Sequence, residues 1–137
     1  MDPITATEVN AFLPKEKWQV DQYTYNEPQL NKLAVEKVLG KLKLVYPDEV
    51  QEWREGEAPK IVRSITAMHL AAWIYSRQFS EDATEENSYA NWLLKEATRL
   101  LDDIIKGLMT IENVVSHFGY NADVLESEPV FNMEQIF

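Results

Sequence analysis

The sequence predicts an all-α fold, a small bundle of about four helices followed by an extended C-terminal arm, and three observations predict it. Apolar residues recur at three- and four-residue steps through three long segments. Helix start and stop signals bracket the helical region, from Thr5-Ala6-Thr7-Glu8 at one end to Gly107 at the other. Beyond Gly107 the period is lost, although apolar residues continue as far as Phe137.

Thr5-Ala6-Thr7-Glu8 has the spacing of a capping box, and Val9, Phe12 and Leu13 follow it, so a short first helix is expected to end near Pro14. Residues 15–25 alternate only in part and read as loop. Asn26-Glu27-Pro28 then looks like an N-cap with a proline in the first turn, where its missing N–H is harmless. In the helix that follows, Leu30, Leu33, Ala34, Val38 and Leu42 form the expected buried stripe, widened by Val35 and Leu39, while Lys32, Glu36, Lys37 and Lys41 occupy the other face, Lys32 and Glu36 one turn apart. Gly40 inside this helix is either simply tolerated or makes room for a close neighbour. Tyr46-Pro47-Asp48 stops the helix, and residues 48–54 are expected to form a connector of one or two turns before Gly56.

From Ala58-Pro59 the apolar positions Ile61, Val62, Ile65, Met68, Ala72 and Trp73, with Leu70, Ala71 and Ile74 beside them, predict a helix with a broad buried surface. Thr84-Glu85-Glu86-Asn87 is the expected start of a last long helix through Tyr89, Trp92, Leu93, Ala97, Leu100, Leu101, Ile104 and Ile105. Gly107 occupies the position of a left-handed residue closing it, with Leu108 expected to pack back on the last turn. Residues 108–111 and 113–115 have the composition of short strands, and residues 119–137 mix turn formers, acids and isolated apolar groups. The expected organisation is therefore a helical domain over residues 1–107 and an acidic arm over 108–137.

Charge and composition narrow the function classes. The chain carries a formal charge of −10, and all 13 Lys and Arg residues precede Gly107, whereas five acids follow it. Nonspecific nucleic-acid binding, which needs cations to neutralise phosphates, is disfavoured. There is no cysteine, so disulfides and thiolate chemistry are excluded. No apolar run approaches a membrane span, and Met1-Asp2-Pro3 lacks the basic and apolar regions of a signal peptide, so cytoplasmic residence is expected.

A search for chemistry yields no constellation. His69 and His117 have no ligand-spaced partners, no serine sits in Gly-x-Ser-x-Gly, and four glycines supply no phosphate loop. The acids Glu81, Asp82, Glu85 and Glu86 lack the spacing of a calcium loop and read as a solvated helix start. Asp102 and Asp103 diverge by about 100° on their helix and read as surface charge. Trp73, Tyr75, Tyr89 and Trp92 read as core or subunit contacts, since no basic surroundings support base stacking.

The opening Ile4-Thr5-Ala6-Thr7-Glu8-Val9, the helix from Leu30 to Leu44, Ala58-Pro59-Lys60-Ile61-Val62-Arg63-Ser64-Ile65 leading into Ala71-Ala72-Trp73, and the closing Leu101-Asp102-Asp103-Ile104-Ile105-Lys106-Gly107 form one pattern. Over about residues 4 to 108 it resembles the head-to-tail connector (adaptor, or head completion) proteins of long-tailed bacteriophages. The resemblance implies a structural virion protein without enzymatic activity, cofactor or metal. It implies a ring of about twelve copies beneath the portal protein, with the next neck or tail-completion protein docking on it. DNA would pass through the ring lumen without sequence-specific contact, and the chain would be made in the host bacterial cytoplasm and reside in the virion neck. The residues expected to bind partners through the arm are Ile111, Val114, Val115, Phe118, Val130, Phe131, Ile136 and Phe137. The alternative is a helical regulatory interaction protein, monomeric or a small oligomer, with a disordered tail.

Overall fold

The computed structural model describes residues 1–79 and 89–111, which contain five α-helices and no strand. These are α1 (Ala6–Asn10), α2 (Pro28–Leu42), α3 (Pro47–Glu55), α4 (Lys60–Gln78) and α5 (Tyr89–Ile105). The architecture is the all-α bundle that the periodicity predicts. The expected connector at 48–54 is a full helix, because Val50 and Trp53 recur at a three-residue step and both are buried. The expected start of α5 at 84–87 lies outside the described residues.

Prolines mark three of the starts. Pro28 and Pro47 occupy the first turns of α2 and α3, and Pro59 is the residue before α4. Asn26 does not cap α2; the cap position falls on Glu27, which makes no side-chain bond to the helix end. Its carboxylate instead holds Arg77 at the far end of α4, at 2.6 Å. Two termini form as their residues dictate. Thr5 and Glu8 exchange the reciprocal bonds of a capping box at α1. At the end of α5, Gly107 has φ 81°, its N–H bonds the Ile104 carbonyl, and the Leu108 N–H reaches back to Asp103 at 2.8 Å. That pair of bonds is the Schellman closure, which glycine supports because it has no Cβ to clash in the left-handed region. Leu108 does not pack back; it is 76% exposed, and Met109 is the half-buried residue that follows.

α4 is the axis of the bundle. Its middle is buried on every side, from Ile65 through Ala72, with α5, α2 and α1 packed around it. Small residues at Ala67, Ala71 and Ala72 let those neighbours come close, and each large side chain buried there contributes roughly 1.5–3 kcal/mol. α2 and α5 both run antiparallel to α4: Glu27 at the start of α2 meets Arg77 near the end of α4, and Tyr89 at the start of α5 packs on Tyr75. They are therefore parallel to each other, and Lys41 lies 3.9 Å from Asp102 across them.

The segment before α1 is tied into this frame. Ile4 is buried, its N–H donates to Asn31 Oδ1 at 2.7 Å, and its carbonyl accepts from the Tyr25 hydroxyl at 2.8 Å. Asn31 Nδ2 donates to Tyr25 Oη and the Glu27 carbonyl, so this buried amide is satisfied on both ends.

Candidate interaction surfaces

Three surfaces carry chemistry beyond the core. The first is a groove of about 630 Å³ between α1 and the first half of α4, floored by Ala11, Phe12, Ala58 and Ala67. Its charged wall is built from sequence-distant partners. The Arg63 guanidinium makes a two-pronged bond to Glu8, at 2.6 and 2.7 Å, and also donates to the Asp2 and Pro3 carbonyls. The Arg63 bond holds the Glu8 carboxyl below its ordinary range and raises the guanidinium further. These charges answer one another, so the groove wall reads as a latch that fastens α1 to α4.

The second surface is the outer face of α2. Leu33 was expected in the buried stripe, but the buried residues are Asn31, Ala34, Val38, Leu39 and Leu42, and Leu33 is 59% exposed. The apolar pattern of α2 is wider than one face, and the core takes the side centred on Val38. At 100° per residue Leu33, Lys37 and Gly40 share one outward stripe, which continues to Leu44 in the turn beyond, 67% exposed. A Cβ placed on Gly40 would meet nothing within 4 Å, so no neighbour among the described residues explains that glycine. Exposed Lys32, Lys41 and Lys43 rim the stripe, and exposed Lys37 lies within it. The single acid of the helix, Glu36, is held by two bonds from Arg54 of α3 rather than by Lys32, and that guanidinium keeps its carboxyl low. In a chain of net charge −10 this face is locally basic.

The third surface lies where the end of α4 meets the start of α5. Tyr75, Phe79, Tyr89, Trp18 and Trp92 form a chain of rings with centroids 4.7 to 6.1 Å apart, and Lys17 Nζ sits 4.7 Å from the Phe79 ring centre. The Tyr89 hydroxyl donates to the Phe12 carbonyl, which directs this flank toward α1. Trp92, stacked on Tyr89, ends the series 53% exposed.

Of the residues expected to bind partners, only Ile111 is described, and it is 1% exposed within the chain's own core. Its backbone approaches the buried Tyr46 hydroxyl without closing a hydrogen bond of regular geometry. Val114, Val115, Phe118, Val130, Phe131, Ile136 and Phe137 lie outside the described residues, as do His117 and the acids at 81–86. His69 is buried in α4, its Nδ1–H donates to the Ile65 carbonyl, and its ring meets Trp73 edge-on at 5.8 Å. Burial pushes its pKa below the ordinary histidine value. Asp103 pairs with Arg99 on the surface. Among the described residues no cluster of three His, Cys, Asp or Glu side chains is placed to hold a metal, and no helix is long and apolar enough to cross a membrane.

Lys32, Lys37 and Lys41 stand on the outer face of α2 as the sequence predicts, but exposed Leu33 among them does not follow from the periodicity. The Arg63–Glu8 pair is not legible in the sequence, since the partners are 55 residues apart and leave no local trace. No family model matches the chain, and no curated protein or solved structure matches it.

Proposed function

We propose that this chain is a structural connector that assembles side by side into a closed ring under a phage portal and offers the ring surface to the next neck component. The observation that carries the proposal is a pair of apolar surfaces on different helices that no described residue covers, Leu33 to Leu44 on α2 and Trp92 on α5. A two-fold dimer uses one self-complementary patch, whereas a ring needs two different patches that fit each other. Their surroundings complement: lysines rim the α2 face, and four acids at 81–86 immediately precede Tyr89 in sequence. Gly40 at the centre of the α2 face would let an aromatic from the next copy lie close to the helix backbone. The resemblance of residues 4–108 to phage connectors supplies the portal and neck as partners, and catalysis forms no part of this reading.

Imaging of particles that contain the chain tests the proposal. The expected result is a ring at the neck, lost when Leu33→Asp and Trp92→Asp are combined, with the helical circular-dichroism signal retained. Finding the chain in the capsid lattice or at the tail tip would sink the connector reading.

A further inference from the structure

The α2 face has an occupant available before any ring forms. We infer that residues 112–137 of the same chain dock on the basic apolar stripe Leu33–Lys37–Gly40–Leu44 while the protein is unassembled. Charge, chemistry and position support this occupant. The segment holds five acids and no Lys or Arg, against a face with four lysines, of which Lys41 lies 3.9 Å from Asp102, and one already paired acid. It also carries apolar side chains suited to such a stripe, among them Val130, Phe131, Ile136 and Phe137.

The geometry of departure points the same way. The described chain leaves the bundle at Ile111, which is buried beside Tyr46, and Leu44 at the end of the stripe is two residues before Tyr46. From Leu44 back to Leu33 the stripe is about 16 Å long at the helical rise of 1.5 Å per residue. Twenty-six residues follow Ile111; extended at roughly 3.3 Å each, they cover that distance several times over. Tethering gives the segment an effective concentration on the order of millimolar at its own α2, well above that of a second copy in dilute solution. The docking is a property of the single chain. Its consequence for assembly rests on the connector reading: the segment and the neighbouring subunit compete for α2, so ring closure requires a partner that draws the segment away.

Hydrogen exchange on the full chain tests the contact. The expected result is that amides in 112–137 exchange about tenfold or more slower than an unstructured chain, equally across a roughly hundredfold range of protein concentration. In Leu33→Asp/Leu44→Asp that protection disappears while α4 and α5 keep theirs, since both leucines are exposed and removing them leaves the core intact. Lys37→Glu/Lys41→Glu weakens the protection severalfold, as does raised salt. Absence of protection in the parent chain overturns the inference, and so does its survival in the double aspartate variant. Protection that grows with concentration overturns it in favour of a second copy. None of these outcomes depends on where the protein sits in a particle, so this test and the imaging test fail separately.

Discussion

Single residues here show how burial, rather than identity, sets chemical behaviour. His69 has the same imidazole as any metal ligand, yet it sits in the middle of α4 with Nδ1 bonded to Ile65 and its ring against Trp73. Burial, aided by the nearby Lys37 charge, keeps its folded-state pKa below the ordinary value. The unfolded chain therefore takes up this proton first, near pH 6.5. Stability is full above that pH and falls as acidity increases from there through the lower folded-state value. In His69→Gln this part of the acid sensitivity is expected to vanish: the loss of unfolding free energy between about pH 7.5 and 5.5, followed by urea denaturation, becomes smaller than in the parent. An unchanged loss would place the sensitivity elsewhere. Glu8 is not the alternative in that window, because Arg63 holds its carboxyl low and the contribution of that latch fades only in stronger acid.

At the scale of elements, the helices divide into those whose ends are written locally and those defined by packing. The Thr5–Glu8 capping box, the prolines at 28 and 47 and the Gly107 closure each follow from a few neighbouring residues. α3 is different, since its nine residues are a helix because Val50 and Trp53 find the core, and Trp53 meets the Tyr46 ring at 5.9 Å. α2 holds the informative exception, a glycine in a helix interior with open space around it. Gly40→Ala is expected to raise the stability of the isolated chain by up to about 1 kcal/mol, the difference in helix propensity, as read from a denaturant midpoint. If the glycine serves close approach of another copy, the same variant assembles less well, so stability and assembly move in opposite directions. A variant that is destabilised in isolation would mean that the helix is more crowded at Gly40 than its open surroundings indicate.

For the molecule as a whole, the core extends past the Gly107 closure as far as Ile111, the last described residue. Residues 108–110 are exposed or half-buried, but Ile111 returns to the core next to Tyr46. Ile111→Ala should therefore destabilise the bundle by about 2–5 kcal/mol, as for other fully buried large-to-small changes. Removal of residues 112–137 should lower the thermal transition only by the few degrees that their docking on α2 contributes, whereas removal from 108 onward should lower it further, by an amount similar to that of Ile111→Ala. Calorimetry on the three variants checks this. Equal transitions for both truncations would show that Ile111 contributes nothing to the core.

The sequence by itself determined the all-α class, the helix ends marked by Thr5, Pro28, Pro47 and Gly107, and the burial of α4, because capping bonds and a 3.6-residue period act within a few positions of one another. It also carried the uneven charge, which needs no fold to be read. Only the tertiary structure decided which apolar residues face inward. α2 has more apolar positions than one face can bury, and the placement of α4 and α5 puts Val38 in the core and leaves Leu33, Gly40 and Leu44 outside. The same holds for Arg63 with Glu8, Asn31 with Ile4, and Ile111 with Tyr46. These pairs are separated by tens of residues, and nothing in a local pattern records which distant partner a side chain meets once the helices have packed.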